Sequence, residues 1–334
     1  MSYLDELIIT FTNPIISDAI VSKSMAKELT TLDANILIKK LFENNVDILF
    51  LENVKNPEFA SILAWCDESY KKTVKTMQTV NEQFVSHGID YLLFKSFPSF
   101  RQHKDDVDVF VPNLQMYLHA QEVLTHEHFS KTHSFEKECH FDKKDNTQID
   151  LHMDISWDFL GRGGSGPQLL DLNHLWTQRR TVTQYGIQVN VPCVEDEVLV
   201  VTAHAIFQHS YLTLGEILYI GELLRLQSID YTYILDVCRR YGWEQSLILA
   251  LSIVSSFYKT FWYIDIVLPS AFKPVSVGTF PVYQVFPFFV PQSKNKLINW
   301  VQHFFRVGVY LYRYLYYFKY KESLCFNKVP KEVL

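Results

Sequence analysis

The run Asp106-Val107-Asp108-Val109-Phe110-Val111 places two carboxylates two residues apart in an apolar, β-branched segment that Pro112 stops. On a strand, side chains i and i+2 leave the same face, so Asp106 and Asp108 project together while Val107, Val109 and Val111 enter a core. Adjacent carboxylates resist joint ionisation unless a cation lies between them, so such a strand offers a hard-metal site. A third acid is available on Gln148-Ile149-Asp150-Leu151-His152-Met153-Asp154-Ile155. There the apolar residues share one face, and Asp150, His152 and Asp154 share the other. A neighbouring strand that brings Asp150 up to the pair would complete the three acids that hold one or two Mg²⁺ ions in phosphoryl-type transfer. The competing reading of Asp106 and Asp108 is a solvated edge strand whose acids deter pairing with other chains. His152 reads equally as a site residue or a structural histidine, and Asp154 as a supporting or surface acid.

These residues need a scaffold, and the pattern supplies one. Residues 1–85 read as a helical N-terminal region, with Ser24 as a cap before Met25-Ala26-Lys27-Glu28 and a helix over about 67–85 that ends near Gly88. Residues 86–160 read as a compact α/β core. Its strands cover 89–94, 107–111, 134–141 and 147–155, with a helix over about 113–124 and a polar connector from Lys95 to Asp105. Residues 161–192 form a linker with short strands, and 193–334 a helical C-terminal domain with a basic, aromatic tail. The expected class is α+β: a small mixed sheet flanked by helical regions.

Composition narrows the class further. The chain has 334 residues, a net charge of −6 and 48% hydrophobic residues, enough for a substantial core and incompatible with general disorder. Its five cysteines are widely spaced and show no ligand pattern, so neither a disulfide framework nor a zinc finger is expected. Acids near Met1 oppose a signal peptide, no segment offers an unbroken apolar span, and a cytoplasmic location is expected. From Lys294 to Leu334 eight Lys and Arg face two Glu, a tail suited to a partner or an anionic surface but better read as a packing helix.

Ser96, a nine-residue spacer and Asp106-Val107-Asp108-Val109 together resemble the nucleotidyltransferase superfamily related to DNA polymerase β. Lys95-Ser96 with Asp150-Leu151-His152 is closer to its poorly characterised bacterial and archaeal members, and Pro192, Glu195-Asp196 and His204 resemble their helical half. The resemblance spans roughly residues 70–225. It implies that Asp106, Asp108 and Asp150 bind Mg²⁺, or Mn²⁺ in its place, with Asp150 also the base for the acceptor. Ser96 and its turn amides would hold the β- and γ-phosphates of an NTP, most simply ATP, and Lys95 or Arg101 would neutralise developing charge. The function implied is transfer of an NMP group to a small molecule, a protein or an RNA end. Extensive RNA contact is disfavoured by the net charge. The rival is a non-catalytic nucleotide-binding or protein-interaction module on the same fold. Lys95 stands where the superfamily has Gly.

Other motifs carry less. Gly161-Arg162-Gly163-Gly164-Ser165-Gly166 matches a dinucleotide fingerprint literally but lacks its strand–turn–helix setting, and no P-loop is present. His204 and His209 share one helix with no acid between them in an HExxH arrangement, so they read as packing and capping residues rather than zinc ligands.

Overall fold

A computed structural model describes residues 3–13, 34–157, 166, 168–209, 212–226 and 228–272 of the protein. The first helices are α1 (Tyr3–Phe11), α2 (Ala34–Glu43), α3 (Asp47–Val54) and the long α4 (Ala60–Ser86). The α/β unit follows with β1 (Leu92–Leu93), β2 (Asp106–Phe110), α5 (Leu114–His126), β3 (Ser130–Ser134), β4 (Glu138–Asp142) and β5 (Gln148–His152). Next come α6 (Leu172–Thr177) and the hairpin β6 (Arg180–Gln184) and β7 (Ile187–Val191). The remaining elements are α7 (Val194–Ala203), a π-helical turn (His204–His209), α8 (Leu214–Leu226), α9 (Tyr231–Tyr241) and α10 (Glu244–Trp262). The class is α+β, as the sequence pattern implies.

Five strands form one sheet in the order β1-β2-β5-β4-β3, with β2 and β5 parallel and every other pair antiparallel. Alternation divides each strand. Val107, Val109, Ile149, Leu151, Cys139 and Phe141 are fully buried on one face, against Met77, Val80 and Phe84 of α4 and Tyr117, Ala120 and Leu124 of α5. Each such aliphatic side chain contributes about 1.5–3 kcal/mol on burial, which fixes the register and leaves the acids on the opposite face. Asn113 caps α5 by accepting from the Met116 N–H, so the helix starts directly after Pro112.

A second core holds the helical part. Its members include Leu7 and Phe11 of α1, Ile62 and Cys66 of α4, Val198 and Val201 of α7, and Leu247 and Val254 of α10. Phe94 and Phe110 also belong to it, so the two ends of α4 and the acid face of the sheet tie the two cores together. Gly221 lets α8 and α10 meet: a Cβ there would lie 2.2 Å from the Tyr258 ring.

Several expectations change. The strand expected over 134–141 is a hairpin, β3 and β4, turned by the Phe135 N–H bonding to the Glu138 carbonyl at 2.8 Å. Every residue of β3 is exposed, so it carries no alternation for a sequence to display. The short strands expected within 161–192 are present as the β6–β7 hairpin, whose Val189 and Val191 are buried with the sheet's apolar face. Only Leu92 and Leu93 of the strand expected over 89–94 pair with β2. Ser24, the glycines from Gly161 to Gly164 and the tail from Lys294 lie outside the described residues. No helix among the described residues is long and apolar enough to cross a membrane.

Candidate functional site

Strand register assembles the polar face in two rows. Asp108 pairs across β2 and β5 with Asp150, which pairs across β5 and β4 with His140. One pleat further, Phe110, His152 and Glu138 form the parallel row. The His152 ring lies between two carboxylates, with Nε2 3.2 Å from Asp108 Oδ1 and Nδ1 3.3 Å from Glu138 Oε2. Glu138 Oε1 is 2.7 Å from His140 Nε2, and the Gln148 amide donates to Asp150 Oδ1 at 2.6 Å. Burial works against a charged His152, but Glu138 and Asp108 outweigh it and raise its pKa to about 10, so the ring is an imidazolium that can donate to both.

The three predicted acids titrate differently. Burial would raise Asp108, yet Lys95 and His152 outweigh it and hold this carboxyl below its ordinary range. Burial and then the charges of Asp108 and Asp150 push Asp106 up to about 7. Burial and then Asp108 also raise Asp150. Asp108 already has cationic partners, whereas Asp106 is crowded by like charge, as expected where an added cation would be stabilising.

The turn between β1 and β2 supplies the positive charge. Lys95 adopts φ 54°, the left-handed conformation that favours glycine, and its Nζ lies 3.0 Å from Asp108 Oδ2. Its backbone N–H donates to Glu197 Oε1 at 2.8 Å, and the half-buried Lys104 ammonium donates to its carbonyl. Burial opposes the Lys95 charge, but Asp108 and Asp106 prevail and raise its pKa, while burial lowers that of Lys104. The Ser96 hydroxyl donates to the Phe94 carbonyl at 2.8 Å, and its side chain lines a small separate pocket with Tyr70 and Tyr185.

Arg101 requires a correction. Its guanidinium pairs with Glu52 at 2.6 Å and Asp67 at 2.5 Å and covers the Tyr70 ring, so helices α3 and α4 draw it away from the acids. Lys104 is the second cation near Asp106 and Asp108.

Opposite the sheet, helices complete a cleft of about 340 Å³. Lys95, Lys104, Asp106 and Asp108 line one side, and His204, His209, Glu216 and Tyr219 line the helical side. Trp65 and His103 stack at 5.3 Å along its margin, with Phe42 edge-on to both. Asp150 sits one strand behind the lining acids and is 8% exposed. Tyr219 donates to Glu197 Oε1 at 2.7 Å, so one buried carboxylate oxygen on α7 holds both the helical wall and the Lys95 turn.

Asp106, Asp108, Asp150 and Lys95 are thus brought together, while Arg101 is not. Sequence reasoning missed Lys104, Glu138, Glu197 and Tyr219. The first-turn acids of α7 read as complements to a helix dipole, whereas Asp196 accepts from Tyr233 at 2.7 Å and contacts His174 Nδ1 at 2.9 Å, and Glu197 reaches the turn. The cue was available at Val194–Ala203, because acids in a helix otherwise composed of Val, Leu, Thr and Ala face a core wherever they point.

A family model described as uncharacterised nucleotidyltransferase matches residues 41–259, well over half of the chain. Among solved structures, an adenylyltransferase for lincosamide antibiotics, LnuA with lincomycin bound, is similar at 14% identity and TM-score 0.34, covering 46% of this chain and 97% of that one. The antibiotic-resistance factor ANT(2'')-Ia shares 11% identity at TM-score 0.33, covering 57% of this chain and 95% of that one. An antigenic nucleotidyltransferase-like protein from Paracoccidioides brasiliensis shares 14% identity at TM-score 0.39, covering 61% of this chain and 98% of that one. Curated proteins returned no match.

Proposed function

Since the chain belongs to the uncharacterised nucleotidyltransferase family, whose model covers residues 41–259, we propose that it transfers an NMP group from an NTP, most simply ATP, to a hydroxyl or phosphate acceptor. The observation that carries this reading is the β2–β5 register, which sets Asp108 directly opposite Asp150 with Asp106 on the same face. The acceptor is a small molecule, a protein or an RNA end.

Asp106, Asp108 and Asp150 would hold Mg²⁺, or Mn²⁺ in its place. Burial and then the charges of Asp108 and Asp150 push Asp106 up to about 7, and such crowded carboxylates fit a hard cation. When bound, such an ion neutralises phosphate oxygens and orients the nucleotide. The acceptor oxygen forms a bond to the α-phosphorus as the bond to pyrophosphate breaks, and Asp150 accepts the acceptor's proton. Its pKa is raised by burial and by Asp108, which suits a base. Lys95 and Lys104 supply charge for the departing phosphates, Lys95 by exchanging Asp108 for phosphate oxygen. Ser96 holds the turn, and its hydroxyl would reach a phosphate only by leaving the Phe94 carbonyl.

The test is transfer of label from α-labelled NTPs, offered one at a time with Mg²⁺ and then with EDTA. The expected result is transfer or self-labelling with Mg²⁺ and none with EDTA, reduced about 10²–10³-fold in Asp108→Asn. A second reading, a nucleotide-binding or interaction module without turnover, is favoured by the Lys95 and His152 contacts that already occupy both Asp108 oxygens. Nucleotide binding without transfer for any NTP would select it.

A further inference from the structure

On the helical wall, His204 and His209 stand on the π-helical turn and Glu216 on the first turn of α8. Five residues apart, two side chains on an α-helix diverge by about 140°, whereas the wider π turn brings them back toward one face. The two imidazole rings are 4.5 Å apart and nearly perpendicular. His204 Nδ1 lies 3.5 Å from Glu216 Oε1, and one ligand atom from each of the three residues falls within 4.8 Å of the others.

The carboxylate is aimed by its own helix start. Thr213 and Glu216 form a reciprocal cap: Glu216 Oε2 accepts the Thr213 N–H at 2.7 Å, and Thr213 Oγ1 accepts the Glu216 N–H at 3.1 Å. That leaves Oε1 directed at His204. Gly215 fixes the helix start in place, since a Cβ there would meet the Asn45 carbonyl at 2.8 Å. Trp157 lies edge-on to the His204 ring at 5.7 Å.

We infer that His204, His209 and Glu216 form a binding site for one zinc-class divalent cation on the helical wall of the cleft. Two imidazole nitrogens and one carboxylate select borderline transition metals over Mg²⁺ or Ca²⁺, whose sites are built from oxygen. Ligands about 2.0–2.1 Å from a tetrahedral ion are about 3.3 Å apart, close to the His204–Glu216 separation. Thr213 supplies the outer hydrogen bond that orients the carboxylate. All three ligands line the cleft, so the ion's remaining position faces the space where an acceptor would lie. Binding of the metal does not rest on the transferase reading, while its service to an acceptor does.

Full-length protein stripped with chelator is titrated with Co²⁺ alone, without nucleotide, and the visible absorption of low-coordinate Co²⁺ is followed. One equivalent of Co²⁺ is expected to develop these bands and to be displaced by Zn²⁺. His209→Ala and Glu216→Gln should each weaken binding more than about tenfold, and Gln at this position can still close the reciprocal cap. Asp108→Asn should leave the spectrum unchanged. Absence of the Co²⁺ bands, or bands that survive Glu216→Gln and vanish in Asp108→Asn, would overturn the site. Bands with the expected variant pattern in a protein that fails the labelled-NTP assay would support the site and sink the transferase reading.

Discussion

The two sides of the cleft are built by different rules. On the sheet side, a period of two carries Asp106, Asp108, Asp150, His140 and His152 to one face, and pairing between strands sets their spacing. On the helical side, Glu197, His204, His209, Glu216 and Tyr219 come from α7, a π turn and α8, and tertiary packing alone brings them together. The sheet side is held by many ladder bonds. The Lys95 N–H is held to the helical side by one buried oxygen of Glu197, and further along the same connector Ser99 bonds to Glu222 of α8. A change on the sheet face should therefore act on chemistry, and a change at Glu197 on how the two walls are held to each other.

Glu197→Ala should give the largest structural effect. It strands the Lys95 N–H and the Tyr219 hydroxyl, and an unsatisfied buried group costs about 1–3 kcal/mol. Destabilisation of about 3 kcal/mol is expected in chemical denaturation, with NTP binding weakened roughly tenfold as the turn loosens. Glu197→Gln keeps an acceptor oxygen and should recover most of both losses. Wild-type NTP affinity in the Ala variant would break the comparison, because the turn would then not depend on its Glu197 anchor.

The same contrast governs what could be read in advance. The Asp-Val-Asp-Val alternation displays its geometry in the order of its letters, and Asp150-Leu151-His152 does likewise. Lys104 was hidden because a charged residue in a connector reads as solvated, yet it is half-buried, bonds to the Lys95 carbonyl and lines the cleft with Asp106 and Asp108. His204 and His209 read as packing and capping residues because no acid stands between them in an HExxH arrangement; the π turn brings the two rings together, and the nearby acid, Glu216, comes from the next helix. The family resemblance implies a charge-neutralising role for Lys95 or Arg101, and folding pairs Arg101 with Glu52 and Asp67 instead.

Asp106→Asn tests the sheet side by pH. Facing Asp106 are Asp108 and Asp150, which raise its pKa, and Lys95 and Lys104, which lower it; burial is the largest influence and the result is about 7. A carboxyl raised on folding favours the folded state when protonated. Its contribution is complete below the ordinary carboxylate range and is lost as pH rises through about 7. In EDTA, the melting-temperature advantage of Asp106→Asn over wild type should be small at pH 5 and larger at pH 8. Mg²⁺ should narrow the difference by stabilising wild type alone. A variant equally displaced at both pH values would show that Asp106 is not crowded by its neighbours.

The smallest expected effect separates the two burdens on Lys95, its left-handed backbone and its charge. Lys95→Ala removes the ammonium beside Asp108 and keeps a Cβ at φ 54°, whereas Lys95→Gly removes both. A non-glycine residue in this region costs about 1–2 kcal/mol, partly offset by the greater freedom of glycine in the unfolded chain. The Gly variant should therefore exceed the Ala variant by about 1 kcal/mol in urea denaturation. Equal stability would mean that the surrounding bonds from Glu197 and Lys104 allow the turn to relax to a negative φ. Nucleotide affinity adds a sign to the same pair. Weaker binding in both variants assigns Lys95 to phosphate charge. Tighter binding than wild type in the Gly variant would mean that Lys95 obstructs the phosphate turn, and would favour the module without turnover.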